Sequence, residues 1–561
     1  MDNAAIADNF SLLAKLMDIH GENSFKTKTY SVAAFNIEKL PVPLKDTPRE
    51  KIFSIKGIGE SVGKKIIEIL DTGKLAALDE WLHKTPPGVV EMLNIKGIGP
   101  KKIHTIWKEM GIESIGELLY ACNENRLTLY KGFGEKTQKN VQEAIEFYNQ
   151  HHGHFLYAEA EAVFPQIKSY LEKLFSSQAV HVTGAYRRQY PIIEEMEFVV
   201  LENNDTIKPK FITAQPPELL EEKDTSLLYQ LKNGFKLRLY TGKGSMEEKL
   251  FLTTGSTEFT EAFLKSFPSA KFGKESRTDE TVFANAKIPF ILPCLRESAD
   301  IIQKAKENSL PQLIQPEDVK GLIHSHSNWS DGVNTIEEMA NELIKRRFEY
   351  LVISDHSKSA FYANGLTEER IKEQHRYVDE LNSKLKPFKI FKSIECDILN
   401  DGSMDYSDKI LSTFDLVIAS VHSNLKMTEE KAMSRLIKAI ENPYTTILGH
   451  MTGRLLLSRN GYPVNHKKII EACAKNQVVI ELNAHPRRLD MDWRHIEYAT
   501  EKGVLISIDP DAHALEGFDD VRYGVLAAQK GGLTKEQNLS SFSLKQFEDW
   551  LNKSKKQKGI L

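Results

Sequence analysis

At 561 residues the chain is too long for one hydrophobic core and long enough for three or four domains. Hydrophobic residues make up 41% and charged residues 27%, an ordinary folded composition, and the net charge of −4 excludes an overall basic binder, leaving any polyanion to local patches and backbone amides. With no membrane-spanning run, no basic leader and four scattered cysteines (Cys122, Cys294, Cys396, Cys473), the sequence predicts a cytoplasmic protein without membrane contact or disulfides, in which any metal site uses His and carboxylates.

Residues 1 to about 150 read as helices joined by short Gly turns, with apolar residues at helical spacing in GKKIIEIL and TQKNVQEAIEFY. One phrase recurs three times, at intervals of roughly 35 to 40 residues: FSIKGIGESVGKKI with Gly57 and Gly59, LNIKGIGPKKIHTI with Gly97 and Gly99, and LYKGFGEKTQKNV with Gly132 and Gly134. Such a turn opening a helix either lets two helices pack closely or offers free N–H groups to a phosphate, with Lys64, Lys65, Lys101, Lys102 and Lys136 close behind. The phrases resemble the helix-hairpin-helix motif of DNA repair proteins, which implies a sequence-independent grip on a nucleic-acid backbone.

From about 155 to 310, strand-like runs (HVTGAYRR, MEFVVL, FKLRLYTG) alternate with helical stretches such as PQIKSYLEKLF, an α+β pattern. TGAYRRQYPIIEEMEFVVL resembles the palm of family X DNA polymerases, where a Gly-Ser turn and an Arg pair hold a triphosphate and alternating Asp residues hold metals. Here the turn is Gly184-Ala185, Arg187 and Arg188 remain, and the Asp positions carry Glu195 and Glu197, which share one strand face but reach one methylene further. The third carboxylate position matches Lys236, and TTGS (Thr253 to Ser256, with Gly255) echoes the nucleotide pocket without its aromatic pair. The resemblance with these departures implies a degenerate palm; the alternative is that the two glutamates still hold Mg and extend a primer from deoxynucleotides. Lys65 matches the lysine with which the family forms a Schiff base on abasic sugars, or contacts a phosphate.

After a polar, Pro-containing stretch (ENSLPQLIQPEDVKG) the chain alternates helices with the strands EYLVIS, KIFKSIE, FDLVIAS, TTILGH, QVVIEL and GVLISID, which reads as an α/β barrel. His324, His326, Asp331, His356, Glu395, His422, His450, Asp511 and His513 fall at or just after strand ends, the rim where such barrels keep their sites. Imidazoles and carboxylates without thiolate suit Mn, Zn or Fe, and nine ligands imply two or three divalent ions. The set resembles the PHP (polymerase and histidinol phosphatase) family. That resemblance implies a bridging, catalytic Glu395, with His324, His326 and Asp511 on one ion, His422 and His450 on a second, and Asp331, His356 and His513 on a third. Arg454 (catalytic by this reading), Arg487 and Arg488 are candidate phosphate clamps, or else surface ion-pair partners.

The expected division is 1–82 N-terminal helical (lyase-like), 83–152 helix-hairpin-helix fingers, 153–306 degenerate palm and thumb, 307–320 linker and 321–561 PHP domain. As a whole the order resembles bacterial family X polymerases with a fused 3′→5′ exonuclease. It implies a monomeric metal-dependent exonuclease or 3′-end phosphoesterase of base-excision repair, acting on gapped, nicked or abasic duplex DNA. The alternatives are an active gap-filling polymerase, a non-catalytic DNA-binding scaffold, or a barrel that hydrolyses a small phosphate ester.

Overall fold

A computed structural model describes the chain apart from residues 1, 56, 124–125, 152, 177–178, 212–215, 270–271, 274–277 and 458–459. The chain divides into two units, Met1–His152 and Gly153–Leu561. Among the described residues no helix is long and apolar enough to cross a membrane.

The first unit is all-helical. The opening amphipathic stretch forms Asn3–Ile19, capped by Asp2, whose carboxylate accepts from Ala5 N–H, and it buries Ile6, Phe10, Leu13 and Leu16. A continuous apolar core runs from Ile6 to Ile145, so the segments divided at residue 82 share one interior. The three repeated phrases each lead into a helix: Glu60–Thr72, Pro100–His104 and Glu135–His151.

In the second unit, residues 153–306 carry strands β1 (Val180–Val182), β2 (Glu195–Val200), β3 (Glu218–Lys223), β4 (Ser226–Gln230) and β5 (Lys236–Tyr240) in one sheet of order β1-β2-β5-β4-β3. HVTGAYRR is strand only as far as Val182; from Gly184 to Arg187 it turns into a short helix, because Gly184 takes φ +65°.

The C-terminal region is built on β6 (Gly321–Ser325), β7 (Tyr350–Ile353), β8 (Lys389–Lys392), β9 (Glu395–Asp397), β10 (Ile418–Ser420), β11 (Ile447–Leu448), β12 (Val479–Asn483) and β13 (Ile506–Asp509). All pair in parallel, as β8-β7-β6 and β9-β10-β11-β12-β13. Strands β8 and β9 are two halves of one bent run, and parallel bridges His356–Glu395 and Ser325–Ala512 join the two sheets on either side. The result is the distorted barrel that strand–helix alternation predicts, with β6, β7 and β12 buried along their whole length.

The stretch 307–320 is not a free linker. Ile314 is fully buried, its N–H donates to Leu533 O (3.0 Å) and its carbonyl accepts from Gln529 Nε2 (2.8 Å). Ile314 and Val319 join the barrel core, and Leu313 belongs to the apolar cluster of the preceding region with Phe251, Ile301 and Ile302.

Candidate metal centre

Parallel pairing brings every strand's C-terminal end to one rim, so residues scattered over 190 positions meet there. Glu395, buried, lies at the middle. Its carboxylate oxygens stand 3.0 Å from His356 Nδ1, 3.1 Å from His422 Nε2, 3.0 Å from His450 Nε2, 3.3 Å from His324 Nε2 and 3.6 Å from His326 Nε2. Burial alone would raise this carboxyl, but His422, His324 and His356 outweigh it and hold it well below the usual range. Asp511 stands 3.0 Å from His326 Nε2 and 3.5 Å from His324 Nε2, while Asp331 faces His356 Nε2 at 3.6 Å and His513 Nε2 at 3.5 Å.

Three overlapping groups have ligand atoms close enough to share an ion: His324, His326 and Asp511; His326, Asp331, His356 and His513; and His356, Glu395 and His422. His450 reaches Glu395 without joining a group. Among the described residues, His324 Nε2, His326 Nδ1, His356 Nδ1, His450 Nδ1 and Glu395 Oε2 are buried without a hydrogen-bond partner. Buried polar atoms are normally paired, and uncompensated lone pairs converging on one space fit divalent cations held by nitrogen and oxygen.

Several ligands are held from behind by residues that the strand-end pattern does not pick out. His324 Nδ1 is hydrogen-bonded to the Glu481 carboxylate and His422 Nδ1 to Asp397 (2.8 Å), each leaving Nε2 for the centre. Asn483 Nδ2 donates to Asp511 Oδ2 (3.1 Å). Asp355 accepts from Ser327 N–H, Ser327 Oγ and Gln374, and so fixes the turn that carries Asp331. Sequence spacing offers one signal for Glu481 and Asn483: two polar residues at period two inside the apolar run QVVIELN.

Arg454 does not face the centre as a clamp. Its guanidinium bonds Asp492 (2.6 Å) and the carbonyls of Arg488 (3.0 Å) and Leu489, fastening the loop after β12. Of the other candidates, Arg488 Nε lies 3.7 Å from Asp511, and Arg487 is exposed, 3.6 Å from Glu159.

In the palm-like sheet the parallel register sets Lys236 beside Glu195 and Arg238 beside Glu197. Arg238, not Lys236, answers the glutamate: it binds Glu195 through two nitrogens and Glu221 through a third (2.9 Å). Glu197 accepts from Ala185 N–H (2.8 Å) and Tyr240 Oη (2.9 Å), and a Cβ on Gly184 would fall 1.6 Å from its carboxylate. Burial raises the Glu197 carboxyl above its usual range. Both carboxylates of the expected metal pair are thus engaged by the protein's own donors.

The arginine pair is likewise committed. Arg187 makes a two-pronged bond to buried Asp279 (2.8 and 3.0 Å), and Arg188 binds Glu297 (2.8 Å) and Thr254 O (2.7 Å). Ser256 caps helix Thr257–Ser266, accepting from Phe259 N–H, and Gly255 is where a Cβ would strike Phe259 at 2.6 Å. These residues, expected to hold a nucleotide, hold the fold.

In the helical unit, Gly57, Gly97 and Gly132 have φ of +88°, +90° and +92°. Gly59 and Gly99 have φ of −78° and −92°, which any residue could adopt, and at Gly59, Gly97, Gly99, Gly132 and Gly134 no atom lies within 4 Å of an added Cβ. Close helix packing is therefore not what these five positions serve. Lys64 pairs with Glu60 (2.7 Å), Lys102 bonds Gly97 O (3.3 Å), Lys101 is exposed, and Lys65 is half-buried with no ion pair among the described residues.

Family models match a helix-hairpin-helix domain at residues 1–75, a SAM-like helix-hairpin-helix tandem at 89–146 and a PHP domain at 323–485. The sequence is 31% identical over 570 residues, 97% of this chain and 98% of the relative, to the DNA polymerase/3'-5' exonuclease PolX of Bacillus subtilis (strain 168). The chain belongs to the family X DNA polymerases that carry a PHP domain. The PHP region is also similar to stand-alone proteins. A probable phosphatase of Thermoanaerobacter sp. (strain X514) is 25% identical over 42% of this chain and 96% of its own length, and the probable phosphatase YcdX of Escherichia coli O81 (strain ED1a) is 33% identical over 22% and 52%. Within a PHP-bearing family X chain, the residues that sequence reasoning missed are partners: Glu481, Asn483 and Asp397 behind the ligands, and Arg238 across the palm face.

Proposed function

We propose that this chain is a DNA-binding, metal-dependent phosphodiesterase that removes nucleotides 3′→5′ at gaps, nicks or abasic ends in repair, with templated synthesis lost or very weak. The observation that carries the proposal is a contrast within one chain. Nine candidate ligands meet at the barrel rim and five of them (His324, His326, His356, His450 and Glu395) carry a buried atom without a hydrogen-bond partner among the described residues, while in the palm Arg238, Tyr240 and the Ala185 N–H take up both glutamates.

In this reading His324, His326 and Asp511 would hold one ion, His422 and His450 a second, and Asp331, His356 and His513 a third, with Glu395 a ligand among them. Divalent ions there, Mn, Zn or Fe, would supply charge neutralisation on a phosphodiester and activation of water. Arg488, whose guanidinium makes no hydrogen bond among the described residues, meets the substrate phosphate in place of Arg454. The open glycine turns receive backbone phosphates of the duplex at helix N-termini, with Lys101 beside them. Lys65 is either a further phosphate contact or a Schiff-base nucleophile, and borohydride trapping on an abasic duplex, compared with Lys65→Ala, separates the two. We assign residues 1–152 to duplex binding, 153–306 to positioning the 3′ end, and 321–561 to hydrolysis by a monomer.

The test is a gapped duplex labelled at the 5′ end of its primer, incubated with Mn²⁺ and four deoxynucleotides. Shortening of the primer that disappears in His324→Ala/His326→Ala supports the proposal. Lengthening in both proteins overturns it and restores the reading suggested by the polymerase name of the Bacillus relative.

A further inference from the structure

His324 and Asp511 share a backbone property that side-chain distances alone do not reveal. Both are non-glycine residues in the left-handed region, with φ of +58° and +53°. Such conformations persist only where the surroundings over-determine them. For His324 the ladder shows the disturbance directly, because the β6–β7 register shifts between Leu322 and Ser325.

Both strained residues are held from the same strand. On β12, Glu481 and Asn483 project to one face, as residues two apart do. The Glu481 carboxylate bonds His324 Nδ1 on one side. On the other it accepts from His450 N–H (3.0 Å) and from Asn483 Nδ2 (3.0 Å). Asn483 in turn donates to Asp511 Oδ2 (3.1 Å). Glu481 and Asn483 are fully buried. Neither occupies the centre, yet between them they touch three candidate ligands contributed by three other strand ends.

We propose that Glu481 and Asn483 form a two-residue clamp that imposes the binding conformation on His324 and Asp511, and so sets the affinity of the ion those two residues share with His326. The inference rests on the metal-dependent reading above and adds positioning residues to it. The chemistry requires a carboxylate at 481, because its neighbours all arrive as donors: the imidazole Nδ1–H, an amide N–H and the Asn483 amide. A glutamine would turn an NH₂ toward one of them. Asp397, bonded to His422 Nδ1, would do the same work independently for the ion that His422 holds.

The experiment uses the full chain, stripped with a chelator and titrated with Mn²⁺ by calorimetry, alongside metal-free melting curves. Wild type is expected to bind at least two ions. Glu481→Gln should weaken one class of site about 10- to 100-fold, the usual effect of losing an outer-layer partner, and leave the other class in place. Asp397→Asn should weaken a different class, and the double variant both. A purely architectural role for Glu481 would instead lower the metal-free melting temperature and weaken all classes together, and that result overturns the inference, as does a Glu481→Gln isotherm identical to wild type. Should Glu481→Gln fail to fold, Asn483→Ala removes the donor to Asp511 and to Glu481 while leaving the Glu481–His324 bond, and must weaken the same single class, or the inference falls. Wild type that binds no Mn²⁺ would sink the metal-dependent reading itself, a distinct outcome.

Discussion

Arginine side chains illustrate how far residue identity carries. Arg187, Arg188 and Arg454 each suit a phosphate by chemistry, but in the fold each has a carboxylate within 3.0 Å, and a guanidinium so paired is a structural cation. The same holds for the palm glutamates. Glu197→Gln keeps one acceptor oxygen for the Ala185 N–H and turns its amide NH₂ to Tyr240 Oη, which can accept, and in the gapped-duplex assay it should shorten primers at the wild-type rate, within about twofold, with no primer extension in either protein. A second residue gives a pH signature. Burial, with Asp519 adding to it, pushes the Asp520 carboxyl up to about 7, against 3.8 ordinarily. Between those values the folded chain holds a proton that the unfolded chain has released, so stability falls as pH rises through that window. Asp520→Asn should therefore melt higher than wild type at pH 8, by on the order of 1–2 kcal/mol after allowing for solvent screening, with the gain vanishing below about pH 4.

At the scale of elements, the hairpin turns separate two uses of glycine. Ala at Gly97 or Gly132 forces a left-handed residue and should cost about 1–2 kcal/mol each in thermal or urea unfolding. At Gly57 the cost is compounded, since the added Cβ would meet Asn36 at 2.4 Å. Gly59→Ala and Gly99→Ala violate neither backbone nor packing, so melting should be unchanged while affinity for duplex DNA falls about tenfold, because the added methyl group holds a phosphate away from the turn's N–H groups. Fluorescence anisotropy over a salt series checks both. The barrel strands were legible for a related reason: apolar runs of four to seven residues ending in polar ones mark buried parallel strands whose tips face solvent. The stretch 307–320 was not legible as packed structure, because Leu313, Ile314 and Val319 are spaced like no regular element and Ile314 finds its partners more than 200 residues away.

Across the whole second unit, the side of the palm that carries Arg188 and Glu297 is joined to the barrel. Lys530, at the end of helix Val521–Lys530, is buried and bonds both Glu297 and the Arg188 carbonyl (3.1 Å), with its amine over the rings of Tyr190 and Trp493. Burial holds this amine down to about 8 against the pull of Glu297. Arg522 of the same helix pairs with Glu161 (2.8 Å). The palm region thus also serves to fix the barrel relative to the palm sheet. Lys530→Met should lower stability by about 1–3 kcal/mol, since Glu297 keeps Arg188 as partner. Limited proteolysis should then cut within 307–320 sooner. Hydrolysis of a small chromogenic phosphodiester should stay at the wild-type rate while 3′ trimming of gapped DNA slows, because only the long substrate spans palm and barrel.

By itself the sequence determined the order of helical, α+β and barrel regions, the three glycine turns and the nine candidate ligands. Each of these is written in local periodicity or in a short motif, and local patterns survive without knowledge of the fold. Tertiary structure alone decided which groups are partnered. Glu481 reaches His324 across 157 positions and Lys530 reaches Glu297 across 233, and no spacing in the chain encodes such pairs. The role of a polar side chain depends on what lies opposite it after folding, so the same arginine or glutamate reads as a binding group in sequence and as a structural tie in space.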